Sequence, residues 1–337
     1  MKTKQYYYRQ LKRRPLVFVR HGVKIAFFLF TLFIGLEFYQ FYLHFSSATP
    51  MPYVERPGAV EAFLPVSAMM GFRVWVATGE FDAIHPAGLV LFTFFVGSGF
   101  LFRRSFCSWI CPVGTGSEWV GMLGKKMFKR EFNLPKWIGW NLLPIKYILL
   151  GFFIFMVINM PIDAVIGFLM SPYNLISDVK MLQYFLEISA TTIKVLGVIF
   201  ILSLFFKNFW CRFLCPYGAL IGLGSMLGMT KIKRNVDTCS NCNQCTRACP
   251  QGISITEKKT VMTPECTACM QCVEACPVKE TLTMQVGPTK VNKWVVPFGF
   301  LALFAIVVLA AKATGHWDTV LTYEHFKELI PWADYIN

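Results

Sequence analysis

Apolar residues gather into five long stretches of this 337-residue chain, with almost no charge inside them. They run near Lys24 to Leu43, Pro86 to Phe102, Asn141 to Met160, Ala190 to Phe206 and Trp294 to Ala311. Each is apolar on all faces and close to the ~20 residues a helix needs to cross a bilayer, so each is predicted as a membrane span. Between Pro57 and Gly79 the pattern changes. Val60, Phe63, Leu64, Met69, Met70, Phe72, Trp75 and Val76 are interspersed with polar positions, which predicts a helix lying along the membrane surface, facing lipid, covering a cleft or docking a partner. The tail from Gly315, with Trp317, Tyr323, Phe326 and Trp332, reads as a second amphipathic stretch. The segment 235–288 is polar, and within it Val261 to Met262 and Thr281 to Val286 read as short strands.

Composition agrees: 55% hydrophobic, 16% aromatic and 15% charged residues describe a polytopic membrane protein and exclude an ordinary soluble enzyme. Charge then orients it. The segments up to residue 24, 103–146 and 207–293 carry 8, 8 and 11 Lys and Arg, whereas 44–86, 161–188 and 312–337 carry 2, 1 and 2, with Lys194 inside a span. Cytoplasmic loops keep positive charge. The expectation is a multi-pass protein of a bacterial inner membrane, with its N-terminus and the polar segment cytoplasmic and its C-terminus periplasmic. The net charge of +14 then reflects orientation and attraction to anionic lipid rather than nucleic-acid binding. Arg13-Arg14 invites a twin-arginine signal reading. Pro15, the length of the apolar run and the weak cleavage site Ser46-Ser47-Ala48 favour a retained helix.

The polar segment carries the clearest chemistry. Cys239-x2-Cys242-x2-Cys245-x3-Cys249-Pro250 recurs as Cys266-x2-Cys269-x2-Cys272-x3-Cys276-Pro277. One tight loop offers three thiolates to a [4Fe–4S] cubane, and in two-cluster ferredoxins the fourth ligand comes from the other run. The expected sets are Cys239, Cys242, Cys245 and Cys276 for one cluster, and Cys249, Cys266, Cys269 and Cys272 for the second. Zinc sites also use Cys-x2-Cys, but the triple spacing ending twice in Cys-Pro is of the ferredoxin type.

An internal repeat holds the other four cysteines. Phe106-Cys107-Ser108-Trp109-Ile110-Cys111-Pro112-Val113-Gly114 aligns at an offset of 104 with Trp210-Cys211-Arg212-Phe213-Leu214-Cys215-Pro216-Tyr217-Gly218. The match continues through Met122-Leu123-Gly124 and Met226-Leu227-Gly228. Each copy follows an outward-to-inward span, which predicts two parallel two-helix repeats about an axis along the membrane normal. Pro112 and Pro216 are predicted to open short helices ending near Gly124 and Gly228, placing Cys111 and Cys215 at helix N-termini, where the dipole favours a thiolate. Cys107, Cys111, Cys211 and Cys215 either form a third metal or cluster site, cycle as dithiol pairs, or pack as small apolar side chains.

Two Cys-x3-Cys-Pro motifs followed by a two-cluster ferredoxin segment resemble the NapH/CcoG/NosR-like family of membrane iron–sulfur proteins over residues 20–290, with a fifth span added to the NapH plan. The resemblance implies electron exchange between the quinone pool and a redox partner, such as a periplasmic or membrane reductase, a cytochrome or an iron–sulfur protein. The chain would then be a subunit of a quinol-oxidising system. The alternative is an assembly factor that reduces or delivers a metal such as copper. The expected fold is an all-α polytopic bundle of about five spans with an inserted α+β ferredoxin domain. Its division is 1–234 for the membrane part with repeats 107–130 and 211–234, 235–288 for the ferredoxin, and 289–337 for the closing helix and short periplasmic tail. Quinone chemistry needs a proton acceptor at membrane depth, and Glu37, His85 and Glu118 are the candidates. Their other readings are a carboxylate reaching the headgroups, a helix cap and a solvated side chain.

Overall fold

In the computed structural model, residues 14–47, 51–130, 132 and 134–336 are described; Arg13 and Ala48, which bear on the signal-peptide reading, lie outside them. Helix α1, Pro15–Ser46, starts with a proline whose fixed φ suits the first helical position. A 3-10 turn at Gly58–Phe63 then gives way to α2, Pro65–Thr78, because Pro65 pushes Leu64 out of helical geometry (φ −107°, ψ 57°). There follow α3 (Pro86–Phe102), the single turn α4 (Ser105–Trp109), α5 (Pro112–Phe128), α6 (Lys136–Asn159), α7 (Ile162–Leu169), α8 (Ser177–Leu186) and α9 (Ala190–Phe205). A π-helical turn at Trp210–Leu214 leads into α10, Pro216–Met226. Pro144 inside α6 is tolerated as prolines are in membrane helices.

The remainder comprises β1 (Thr230–Arg234), α11 (Gln244–Ala248), β2 (Thr260–Val261), α12 (Gln271–Ala275), β3 (Leu282–Val286), β4 (Thr289–Val291), α13 (Val295–Ala313) and α14 (Tyr323–Leu329). By length and apolarity α1, α6 and α13 can each cross a membrane, and α8 with α9, bent by 81°, would make a fourth span. Helix α3 has 17 residues and α9 has 16, because the chain turns at Arg103 (φ 57°) and Asn208 (φ 51°) to enter the cysteine motifs.

The chain forms two compact units. The first holds residues 1–29, 95–150 and 197–303, the second 30–94, 151–196 and 304–337. Every boundary falls inside one of α1, α3, α6, α9 and α13.

In the first unit the strands form an antiparallel sheet of order β2-β1-β3-β4, with Ile232 opposite both Val261 and Met284 and all three buried. Strand β1 pairs along its whole length with β3, so the sheet begins at Thr230, ahead of the boundary expected at 235. Buried Arg103 donates to the carbonyls of Thr230 (2.9 Å) and Thr263 (2.6 Å), tying the end of α3 to this sheet. Two glycines show a reciprocal arrangement. A Cβ on Gly124 would lie 1.8 Å from the Leu204 carbonyl oxygen, and one on Gly228 would lie 2.5 Å from that of Phe100, the residue 104 positions before Leu204.

In the second unit Phe38, Phe41, Val60, Ile176, Val179, Phe326 and Ile330 form one core, and Met70, Val74, Val157, Val165 and Leu169 another. The tail is therefore less interfacial than its sequence suggests. Phe326 on α14 packs edge-on to Phe41 at 5.1 Å, and Trp317 is buried, while Trp332 stays exposed.

Candidate metal centre

Each ferredoxin-type run folds the same way. The chain passes through left-handed residues at Asn241 and Asn243 in the first run and at Ala268 and Met270 in the second, then makes one helical turn, α11 or α12, that carries the third cysteine. These turns aim backbone N–H groups at sulfur. The result is two small cavities. One is lined by Cys239, Cys242, Cys245 and Cys276, the other by Cys249, Cys266, Cys269 and Cys272.

The two cavities differ in electrostatics. In the first, Cys242 is exposed and only Cys245 is buried. The Asn241 N–H, then Arg234, draw the Cys239 thiol below its usual value, and the Gln244 N–H, then the Ser240 hydroxyl, do so for Cys242. In the second all four thiols are buried among Ile232, Ile253, Ile255, Val261 and Met270. Burial pushes Cys249 up to about 12 and raises Cys269 and Cys272. All-thiol donor sets of four, with N–H groups turned toward the sulfurs, fit an iron–sulfur cluster in both cavities.

The Cys-x3-Cys-Pro motifs lie in the same unit. Pro112 and Pro216 open α5 and α10 as expected, and the N-cap sulfurs of Cys111 and Cys215 accept from the N–H groups of Gly114 (3.5 Å) and Gly218 (3.3 Å). The four thiols are close enough to perturb one another's ionisation. The expected lowering of the thiol pKa is not what the fold produces. Burial, followed by the neighbouring sulfurs, raises Cys111 and takes Cys211 to about 12, and burial outweighs the Gly218 N–H at Cys215. Among the described residues no three His, Cys, Asp or Glu side chains converge closely enough to grip one ion.

Buried Arg104 supplies positive charge here, donating to the Cys211 carbonyl (3.4 Å) and 3.2 Å from Glu265, whose carboxylate also takes Lys146 (2.5 Å) and the Tyr147 hydroxyl (3.0 Å). The motif reaches the second cavity directly. Ser108 donates to the Thr267 carbonyl (2.7 Å) and the Trp109 indole N–H to that of Ala268 (3.5 Å), both between Cys266 and Cys269. On another side of that cavity Glu118 accepts from Arg20 and Lys24, and Cys269 lies within electrostatic reach of Arg20 and Glu118.

The other quinone candidates lie in the second unit. Glu37 is half-buried on α1, with no hydrogen-bond or ion-pair partner among the described residues. His85 is fully buried, its Nδ1 3.4 Å from Glu61. Sequence reasoning passed over Arg20, Lys24, Arg56, Arg104 and Lys146 as orientation charges, and missed Glu61 and Asp178 altogether. The available signal was charged residues in otherwise charge-poor outer segments.

Thiol-lined cavities on a small sheet, carried by apolar helices, define a ferredoxin-type iron–sulfur protein of the membrane. One family model, a 4Fe-4S binding domain, matches residues 84–131 and again 191–235, and a second, a 4Fe-4S dicluster domain, matches 231–277. The putative electron transport protein YccM of Escherichia coli K12 is 37% identical over 94% of this chain and 91% of its own length. The ferredoxin-type protein NapH of the same organism is 27% identical over 44% of this chain and 48% of its length, and the regulatory protein NosR of Pseudomonas aeruginosa 25% over 53% and 24%. The chain belongs to this NapH- and NosR-like family of membrane iron–sulfur electron-transport proteins. No solved structure matches it.

Proposed function

We propose that this protein carries electrons between the quinone pool and a redox partner through two [4Fe–4S] clusters, with a third site, for a cluster or metal, at Cys107, Cys111, Cys211 and Cys215. The single observation that carries the reading is the sorting of eight cysteines into two cavities, each drawing three thiols from one run and the fourth from the other. When bound, each cluster would store one electron. The residues around them give the path a direction of burial. Cys239 and Cys242 sit on the open side, suited to a soluble or peripheral partner, while Trp109 and Ser108 bridge the motif thiols to the buried set.

The membrane reading takes all five apolar helices as spans. In its support, every boundary between the two units falls inside one of them, and 27 of the 33 lysines and arginines lie in the first unit against six in the second. The N-terminus and the ferredoxin segment are then cytoplasmic and the C-terminus periplasmic. The domain division is 1–234, 235–288 and 289–337, with β1 and β4 contributed by the flanks. The reciprocal Gly124 and Gly228 contacts support two parallel repeats about a common axis.

The test is a redox titration followed by EPR on protein purified without air. Wild type is expected to show two interacting [4Fe–4S] signals and one further signal that disappears when Cys107, Cys111, Cys211 and Cys215 are replaced by serine. A wild type without ferredoxin-type signals overturns the whole reading. Spectra and iron content unchanged in the quadruple variant overturn the third site and return weight to metal delivery.

A further inference from the structure

The second unit contains a cleft of about 690 Å³ that the electron path does not use. Its walls come from the turn before α2, the segment after α7, and α8, and include Phe63, Phe168, Tyr173, Ser177, Met181 and Tyr184. Aromatic faces on several sides suit a flat ring. Behind one wall lies a buried charge group. Arg56 donates to Glu61 (2.9 Å) and Asp178 (2.6 Å), and the Gly88 N–H donates to Glu61 (2.8 Å).

His85 joins this group to the cleft. The Asn174 side chain accepts from Ser67 (2.8 Å) and donates to the Leu169 carbonyl (2.9 Å), and the Asn174 main-chain carbonyl oxygen lies 2.7 Å from His85 Nε2. That oxygen can only accept, so it holds the Nε2–H of the protonated ring. His85 Nδ1, which makes no hydrogen bond, faces Glu61 Oε1 at 3.4 Å, and between them there is room for one proton. With that proton the two carboxylates, the guanidinium and the imidazolium are neutral together; without it they carry one buried negative charge. Burial alone would deprotonate the imidazole, but Glu61 and then Asp178 outweigh it, despite Arg56, and raise His85 above its usual value. The Ser177 hydroxyl, 3.2 Å from Nε2, lies on the cleft wall.

We propose that this cleft binds a hydroquinone head group and that Ser177, His85 and Glu61 form the route by which one of its protons leaves, a proposal that rests on the electron-transport reading above. Oxidation of the hydroquinone breaks two O–H bonds. One proton passes through the Ser177 hydroxyl to His85 Nε2, which is bare when the ring's single proton sits on Nδ1 against Glu61, and so forms the imidazolium; the other leaves to water at the cleft mouth, and the two electrons go singly to the chain's oxidised iron–sulfur clusters. Quinone reduction is the same sequence reversed.

The test uses the full chain in phosphatidylethanolamine–phosphatidylglycerol nanodiscs with decylubiquinol and its oxidised form as probes. Equilibrium binding of the oxidised probe to oxidised protein is expected to weaken at least about tenfold in Met181→Trp, which fills the cleft. His85→Gln and Ser177→Ala are expected to keep binding but to slow cluster reduction by the quinol roughly a hundredfold. In both, the rise of rate with pH that deprotonation of the His85–Glu61 pair gives the wild type should flatten. Dithionite reduction reports in each variant whether the clusters and fold are intact, and Ser177→Ala, which removes one oxygen, serves if the larger replacements prevent folding. Wild-type binding in Met181→Trp together with wild-type quinol rates in His85→Gln or Ser177→Ala overturn the cleft site and leave the electron-transport reading standing. A wild type whose clusters dithionite reduces but quinol does not overturns the quinone link itself.

Discussion

Glu118 is a carboxylate whose ionisation is set almost wholly by two partners nearly a hundred residues away. Burial would raise its pKa, but Arg20 and Lys24 overcome this and hold it at about 2. In the unfolded chain it returns to about 4.3. Because the folded value is the lower one, the stabilisation is complete above the unfolded value and fades as pH falls toward the folded one. Glu118→Gln is expected to cost up to about 3 kcal/mol at pH 7 and nothing measurable near pH 2, as read from chemical unfolding in detergent at both pH values. A cost that did not change with pH would mean that Arg20 and Lys24 find their counter-charge elsewhere. The residue was visible in the sequence as a candidate, but its partners were visible only as orientation charges. An ion pair between helices distant along the chain leaves no periodicity to read, and the same holds for Arg104 with Glu265.

Elements bring the two repeats into register through glycine. Gly124 and Gly228 each allow a backbone approach that no side chain permits. Gly124→Ala is expected to destabilise the first unit by several kcal/mol, the scale of overpacking against backbone that cannot move, and to lower the metal content at the Cys-x3-Cys-Pro thiols. Gly116→Ala, one helical stretch earlier, has nothing within 4 Å of the new methyl and should be neutral or slightly stabilising. Thermal melts with iron analysis compare the two variants; equal behaviour would remove the argument for a tight reciprocal contact. The alignment at offset 104 pointed to these glycines, yet one chain cannot reveal that each copy rests against the partner helix of the other. Strand β1 was missed for a different reason. Thr230-Lys-Ile-Lys-Arg234 alternates about one apolar residue, Ile232, and was assigned to the end of the second repeat, 211–234, rather than read as the strand that β3 completes.

At the scale of the whole molecule, apolar length and the spread of lysine and arginine carry the prediction. With the five helices as spans, a cysteine placed at Trp332, which is exposed in the second unit, is expected to react with a membrane-impermeant maleimide in intact cells, whereas one at exposed Glu280 in the first unit should react only after lysis. The reverse pattern would invert the topology. The membrane character of the chain was legible, because a bilayer constrains helix length and apolarity more tightly than a protein core does. The surface helix and tail were less so. Their apolar residues looked suited to lipid, but Val60, Met70 and Phe326 are claimed by cores of the second unit, and amphipathicity cannot say which apolar medium a face will meet.

One contact bears on the order in which such a chain can be completed. The backbone N–H of Leu16, in the first turn of α1, donates to Glu274 (3.2 Å), which sits between Cys272 and Cys276 and also pairs with Lys293 just before α13. Helix α1 must therefore wait for a residue made more than two hundred and fifty positions later, on a turn between two of the cluster-motif cysteines. This latch is therefore expected to close only once the Cys272–Cys276 turn has taken up its cluster, and chains made without iron are expected to be left open at it.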